Sequence, residues 1–169
     1  KVKYKKLNID IIDEKNIFKP SKAISGWRYQ QILKLEISKL IKTEWYICMD
    51  ADCFICKKLE YDNLFVNGKC KTNIMTHDFC PATWKKDVDK IIPLTGTYGL
   101  GVTPQILNTK ICLELLNEFP ASFLEKNKFT EYLLYSSFLN KKNKMDLYID
   151  DKYFSKGIWS NETRVLLSK

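Results

Sequence analysis

Two aspartates, Asp50 and Asp52, interrupt a stretch of the chain that is otherwise apolar. Residues 45–49 (WYICM) run directly into Asp50, and apolar residues resume at Cys53. Carboxylates in such a run are costly to bury unless something neutralises them. Two carboxylates one residue apart can direct oxygens toward one point, which suits a hard divalent cation. The pattern therefore favours a cation site, although an ordinary acidic turn is the alternative for Asp-x-Asp taken alone.

The elements before the aspartates predict a strand–helix–strand crossover. Residues 4–12 alternate apolar and polar side chains as a strand does, and residues 27–42 have the spacing of an amphipathic helix. The apolar run 45–49 predicts a central parallel strand that is covered on both faces. Because ligands bind beyond the carboxyl ends of strands in open α/β sheets, we expect Asp50 and Asp52 at a binding edge.

The rest of the chain predicts further short strands and helices. Asn67-Gly68 is a strong hairpin signal, and Pro120 should stop the helix before it. The tail, residues 141–169, gives no clear prediction. No repeat or linker divides the chain, so we expect one α/β domain over residues 1–169. The other predicted elements are a helix opening at Pro81, a glycine-containing strand or loop at 96–107, a helix at 108–119 capped by Asn108 or Thr109, and a helix at 129–140.

The composition is that of a globular domain with a basic surplus. The chain has 169 residues, 45% of them hydrophobic, and a net charge of +8. This charge favours anionic partners, but the lysines are scattered in pairs, which is more typical of a solvated surface. No apolar run approaches the roughly eighteen residues that a membrane span needs. Since the chain opens at Lys1 and not at Met, we expect it to be part of a longer protein.

Six cysteines are present in a chain that is too large to need a disulfide scaffold. Buried free thiols in a reducing compartment are the expectation, and hence a cytoplasmic protein. A zinc site built from Cys53, Cys56, Cys70 and Cys80, with His77 nearby, is the alternative. It would make the chain a basic, zinc-stabilised module that binds nucleic acid.

Three blocks of the sequence, in order, resemble one family. The segment "YICMDADCFICKKL" (46–59) is similar to the strand and DxD element of metal-dependent GT-A-type nucleotide-sugar glycosyltransferases. "GWRYQQILKL" (26–35) and "FTEYLLYSSFL" (129–139) resemble helical blocks in the small GT-A-like domains of bacteria and large viruses. "GVTPQIL" (101–107) lies where that subgroup has a strand before a helix. The resemblance implies a GT-A-like, Rossmann-related fold with a mostly parallel central sheet flanked by helices; the first strand of that fold is not evident before Lys1.

Specific roles for the carboxylates follow from the resemblance. It implies that Asp52 binds Mn²⁺ or Mg²⁺ directly, and that Asp50 holds the metal through water or bonds the ribose of the nucleotide. Glu131, in the Phe-Thr-Glu-Tyr segment, becomes the candidate for the reaction centre. Without the resemblance, an exposed helix residue would be the simpler interpretation of Glu131.

The helix before the aspartates holds the expected donor contacts. Arg28, Gln31 and Lys34 lie in the helical block that resembles the family, and the cationic pair could meet donor phosphates. A solvated polar face is the alternative for each of them. Trp27 could pack on a sugar ring or in the core.

The expected function is transfer of a sugar from a nucleotide diphosphate donor to a hydroxyl of a glycan acceptor. A uridine diphosphate sugar is the expected donor and a divalent cation the expected cofactor. No nucleic acid and no membrane-spanning segment belong to this interpretation. Its alternative is the basic nucleic-acid-binding module described above.

Overall fold

The computed structural model describes residues 9–53, 55, 58–96, 98–101, 103–152 and 154. They contain both helices and short strands, which confirms a mixed α/β class. None of the helices described is long and apolar enough to cross a bilayer. In chain order the elements are α1 (Gly26–Glu36), β1 (Trp45–Cys48), α2 (Tyr61–Leu64), β2 (Phe65–Val66), β3 (Lys69–Thr72), β4 (Ile74–Thr76), α3 (Ala82–Asp89), β5 (Tyr98–Leu100), β6 (Gln105–Asn108), α4 (Thr109–Glu118), α5 (Ala121–Leu124), α6 (Glu131–Lys141) and β7 (Tyr148–Asp150).

Helix α6 lies at the centre of the core. Every residue from Glu131 to Leu139 is buried, so this helix is covered on all sides and not along one stripe. Ile32 and Leu35 of α1 and Leu115 of α4 belong to the same apolar cluster. The burial of α6 overturns the simpler interpretation of Glu131 as an exposed helix residue, because its whole first turn lies inside the protein.

Strand β1 pairs antiparallel with β6, with Trp45 opposite Asn108 and Cys48 opposite Gln105. The described residues therefore do not show the parallel pairing predicted for this strand. Its side chains also alternate: Tyr46 and Cys48 are buried, whereas Ile47 is exposed. This alternation could not be predicted from the residue types, because Ile47 is apolar although it faces outward.

The sheets are small and mostly antiparallel. β3 lies between β2 and β7, antiparallel to the first and parallel to the second, and β4 pairs antiparallel with β5. The predicted hairpin is confirmed, since Asn67 and Gly68 both take positive φ in the turn between β2 and β3. β7 comes from the part of the tail that gave no prediction.

Several predicted helices are confirmed with adjusted ends. Ser25 caps α1 by accepting from the Arg28 amide, and the helix ends at Glu36 with one further 3₁₀ turn, short of the predicted residue 42. Asn108 caps α4 by accepting from the Ile111 amide. The strand predicted at 4–12 is not confirmed: residues 9–12 form none, and residues 4–8 lie outside the described part.

Gly99 packs β5 closely against α6. A Cβ at this position would lie 3.0 Å from Ser136 Oγ and 3.1 Å from His77 Nε2. The missing side chain therefore lets this strand approach the buried helix. Close packing within the protein therefore explains why position 99 is a glycine, and a bound substrate is not needed to explain it.

A chain of hydroxyl groups ties α6 to two strands. The Asn108 amide donates to Tyr135 Oη at 3.0 Å, and Tyr148 Oη donates to the Ile106 carbonyl at 3.0 Å. Since the Tyr148 proton is used in this way, Tyr135 donates to Tyr148 across 2.9 Å. All of these groups are buried, so each depends on the next for its hydrogen bond.

We expect Tyr135→Phe to lower the free energy of unfolding by about 1–3 kcal/mol, because it leaves the buried Asn108 amide without an acceptor and removes the hydrogen bond that Tyr148 Oη accepts. Chemical denaturation measures the change. Tyr61→Phe is the control, because Tyr61 is exposed and the change should lie within about 0.5 kcal/mol. Equal stability of the two variants would contradict this account of the hydroxyl chain.

Candidate functional site

The turn after β1 holds Asp50 in a fixed position. The Asp50 amide donates to Thr103 Oγ1 at 3.2 Å, and its carbonyl accepts from the Cys53 amide at 3.0 Å. Thr103 precedes β6, the partner of β1. The end of one strand is thereby joined to the beginning of its neighbour, and Asp50 lies where the two meet.

Lys34 of α1 lies between two carboxylates. Its ammonium nitrogen is 2.7 Å from Asp50 Oδ1 and 2.9 Å from Glu131 Oε1. Gln30, one helical turn earlier, donates to the same Asp50 oxygen at 3.2 Å. The Lys34 ammonium also lies 5.1 Å from the centre of the Tyr132 ring. We call Asp50, Lys34 and Glu131 the charged cluster.

Exposure decreases steadily from Asp52 through the charged cluster. Asp52 is exposed and makes no ion pair or hydrogen bond with another described residue. The side chain of Asp50 is 28% exposed, that of Lys34 11%, and that of Glu131 5%. A ligand arriving from solvent would therefore meet the aspartates first and Glu131 last.

Burial and charge compete in setting the pKa values of the cluster. Burial lowers the pKa of Lys34, but the charge of Glu131 and hydrogen bonds to both carboxylates outweigh it, so its pKa is raised. Burial raises the pKa of Glu131, and the nearby Lys34 ammonium offsets this only in part. Lys34 is therefore a permanent cation, whereas Glu131 takes up a proton more readily than an ordinary glutamate does.

The backbone of Lys34 is fixed from β1. Tyr46 Oη donates to the Lys34 carbonyl at 2.9 Å, and the Cys48 thiol does so at 3.8 Å. Burial raises the pKa of Cys48 to about 12, so it stays a neutral thiol. The strand that leads into Asp50 thus also positions the helix that carries its cation.

Two of the expected donor contacts already have partners within the protein. Gln31 Oε1 accepts from the Glu131 amide at 3.0 Å and so caps α6 from a different helix. Arg28 Nη2 donates to the carbonyls of Glu125 and Asn127. Their contacts with a donor stay predictions, and the structure gives both side chains a structural partner.

The charges of the two aspartates are compensated differently from the sequence prediction, which favoured a bound cation. Lys34 neutralises Asp50, and solvent surrounds Asp52, so neither carboxylate requires a metal to be stable. The two still offer the ligand type that Mn²⁺ and Mg²⁺ prefer, since Asp52 is unengaged and the contacts of Asp50 with Lys34 and Gln30 both fall on Oδ1. Such a site would depend on phosphate and water for its remaining ligands.

The zinc alternative receives no support from the described residues. No three His, Cys, Asp or Glu side chains among them form a group that could hold a metal. Cys70 is fully buried in β3, and burial raises its pKa to about 12, which disfavours a thiolate. Cys56 lies outside the described part. Cys48 and Cys112 are buried free thiols, as expected from the sequence.

The sequence did not predict that Lys34 and Glu131 form an ion pair. They are 97 residues apart, and only the packing of α1 against α6 brings them together. The one available signal was the i, i+4 spacing of Gln30 and Lys34, which places both on one helix face. That face in fact carries both donors to Asp50.

Two cavities among the described residues lie outside the charged cluster. One, of about 320 Å³, is lined by residues at the beginning of α1, by α3 and by Lys128 and Phe129. The other, of about 590 Å³, lies between Ile92 and Asn143 on the far end of α6. Only the first adjoins the helix that carries Lys34.

The chain belongs to a protein family described as a family of unknown function, DUF6492, whose model matches residues 1–165. No curated protein and no solved structure matches the chain.

We expect Lys34→Met to lower the free energy of unfolding by about 3 kcal/mol, since it leaves a buried carboxylate without its cation. In the variant, the pKa of Glu131 in the folded chain would then lie even further above its value in the unfolded chain. Stability of the variant therefore falls as pH rises above the ordinary value of 4.5, and the deficit shrinks below it. Denaturation between pH 4 and pH 8 measures this dependence.

Lys58→Met is the matched control, because Lys58 pairs with Glu60 at the exposed surface. Its effect should stay below about 1 kcal/mol at every pH. Adding Glu131→Gln to Lys34→Met should restore part of the stability. A deficit of Lys34→Met that does not vary with pH would contradict the role given to Glu131.

Proposed function

We propose that this protein is a metal-dependent glycosyltransferase that moves a sugar from a nucleotide diphosphate donor to a glycan hydroxyl. The observation that carries the proposal is the meeting of Asp50, Lys34 and Glu131 at the end of β1. These residues come from the three blocks that resemble GT-A-type enzymes. The proposal includes a GT-A-like arrangement of the sheet and a uridine diphosphate sugar as the donor.

Asp52 and Asp50 would hold Mn²⁺ or Mg²⁺ in this proposal. The exposed carboxylate of Asp52 would be the direct ligand, and Asp50 would contribute through water or contact the ribose. When bound, the cation would supply Lewis-acid stabilisation of the charge that develops on the departing diphosphate. Asp50 stays paired with Lys34, which limits how far its carboxylate can move.

Lys34 contributes positive charge beside the leaving group. Its raised pKa keeps the ammonium protonated, and its low exposure strengthens its interaction with a phosphate that reaches the cluster. Because Lys34 pairs with both carboxylates, a negative charge that binds near Asp50 would also change the electrostatic environment of Glu131.

Glu131 is proposed as the carboxylate of the reaction centre. Bond breaking gives the sugar carbon positive character, which a nearby carboxylate stabilises, and the same group can accept the proton of the acceptor hydroxyl. A pKa raised by burial makes Glu131 a stronger base than an exposed glutamate. The Gln31 bond to its amide fixes the beginning of α6 and hence the position of this side chain.

Calorimetry with uridine diphosphate tests the metal site. We expect Mn²⁺ to be required for tight nucleotide binding and Asp52→Asn to abolish that dependence, because the direct ligand is lost. Asp146→Asn is the matched control, since Asp146 is an exposed aspartate in the turn before β7. Nucleotide binding that is independent of Mn²⁺, or retained by Asp52→Asn, would contradict the proposal.

Donor consumption tests the role of Glu131. We expect Glu131→Gln to reduce the rate by about 10²-fold or more while leaving Mn²⁺-dependent nucleotide binding unchanged. In the wild type, the rate should fall at acidic pH through an apparent pKa above 4.5, because burial raises the pKa of this carboxyl. Release of uridine diphosphate from a panel of its sugars provides the measurement. An unchanged rate in Glu131→Gln would exclude Glu131 from the reaction centre.

A further inference from the structure

A cavity of about 320 Å³ opens between the first turn of α1 and helix α3. We call it the tryptophan cavity, because Trp27 and Trp84 line it. Its volume lies at the lower end of the range for small-molecule sites. The sequence drew attention to Trp27 alone, and nothing in the spacing of the chain links it to Trp84.

The two indole rings are paired and open to solvent. Their centroids are 6.1 Å apart with an angle of 34° between the planes. Trp27 is 49% exposed and Trp84 37% exposed. A ligand that covered the two rings would remove apolar surface from water, which is favourable in free energy. Aromatic faces of this kind provide a rigid apolar surface that suits the CH face of a sugar ring, while the polar indole edge stays solvated.

Apart from Phe129, the rest of the lining is polar and carries a positive surplus. Lys128 has no ion pair or hydrogen bond from its ammonium group within the described part of the chain. Arg28 uses Nη2 for its two carbonyl contacts, which leaves the other edge of the guanidinium for a ligand. Asp87, the acidic residue of the lining, is paired with Lys90 at 3.2 Å. This charge favours an anionic group beside the rings.

The tryptophan cavity lies on the same helix face as the charged cluster. Trp27 and Lys34 are seven residues apart on α1, which corresponds to two turns, or about 10 Å along the axis. On the other side, Phe129 lines the cavity and Glu131 follows two residues later. A chain of sugar rings could therefore occupy the cavity and extend toward the cluster.

We propose that the tryptophan cavity binds an acidic sugar residue, with its ring on Trp27 and Trp84 and its carboxylate near Lys128 and Arg28. Its assignment as part of the acceptor glycan depends on the proposed function; binding of the acidic sugar itself does not. The donor nucleotide is the competing occupant, since a base could also stack on an indole ring.

Ligand-observed NMR on the full chain, without nucleotide or metal, tests the proposal. The probes are methyl β-D-glucuronide and its neutral counterpart, methyl β-D-glucoside. We expect the glucuronide to bind about tenfold more tightly, because a charge-assisted hydrogen bond to Lys128 is available only to the acidic sugar. Higher salt should reduce this preference.

Variants locate the binding in the cavity. We expect Trp84→Ala to abolish binding of both sugars and Trp84→Phe to retain much of it, since phenylalanine preserves an aromatic face. Lys128→Gln should remove the preference for the acidic sugar, whereas Lys126→Gln, at a nearby exposed lysine outside the lining, should not. Circular dichroism of each variant distinguishes lost binding from lost folding.

The outcomes separate this inference from the proposed function. Sugar binding with no Mn²⁺-dependent nucleotide binding would support the cavity and contradict the enzyme. Absence of binding by either sugar would overturn the inference, and so would displacement of the glucuronide by uridine diphosphate added by itself. Neither result would affect the calorimetric test of the aspartates. Equal binding of the two sugars would overturn its charge preference.

Discussion

The ammonium group of Lys34 pairs with two carboxylates that approach it from different parts of the chain. Asp50 arrives on the turn after β1, and Glu131 arrives at the beginning of a helix that is buried throughout. Without the cation, a buried glutamate would have to stay protonated. The packing of α1 against α6 and the position of the turn therefore depend on one shared charge. An isolated buried charge of either sign would be destabilising here.

The same arrangement explains why polar residues are tolerated around α6. Gln31 caps the beginning of this helix, and Tyr135, in the middle of the helix, accepts a hydrogen bond from the Asn108 amide. Both of these buried hydrogen bonds join α6 to another element. The polar contacts specify how α1, β6 and α6 fit together, and apolar packing alone would allow other orientations. A cluster fixed in this way is suited to hold charged side chains in a constant geometry.

Exposure differs between the two sides of the charged cluster. Asp52, next to Asp50, is open to solvent, whereas Glu131 at the inner side is almost covered. The tryptophan cavity opens about two helical turns away on the same side of α1. In the proposed reaction, a donor would be held at the aspartates and an acceptor would approach from the cavity, with Lys34 and Glu131 between them.

Sequence patterns determined much of the local structure. The cap at Asn108, the Asn67-Gly68 turn and the presence of the main helices follow from contacts within a few residues. They also placed Asp50 directly after a strand. These features are readable because the residues that cause them are neighbours in the chain.

Only the tertiary structure decided which residues meet. The antiparallel partner of β1, the exposure of Ile47, the pairing of Lys34 with Glu131 and that of Trp27 with Trp84 all depend on contacts between distant segments. The sequence posed the question of what neutralises Asp50 and favoured a bound cation. The fold answers it with a lysine, because the approach of α1 to the end of β1 is set by packing across the whole core, which no local spacing encodes.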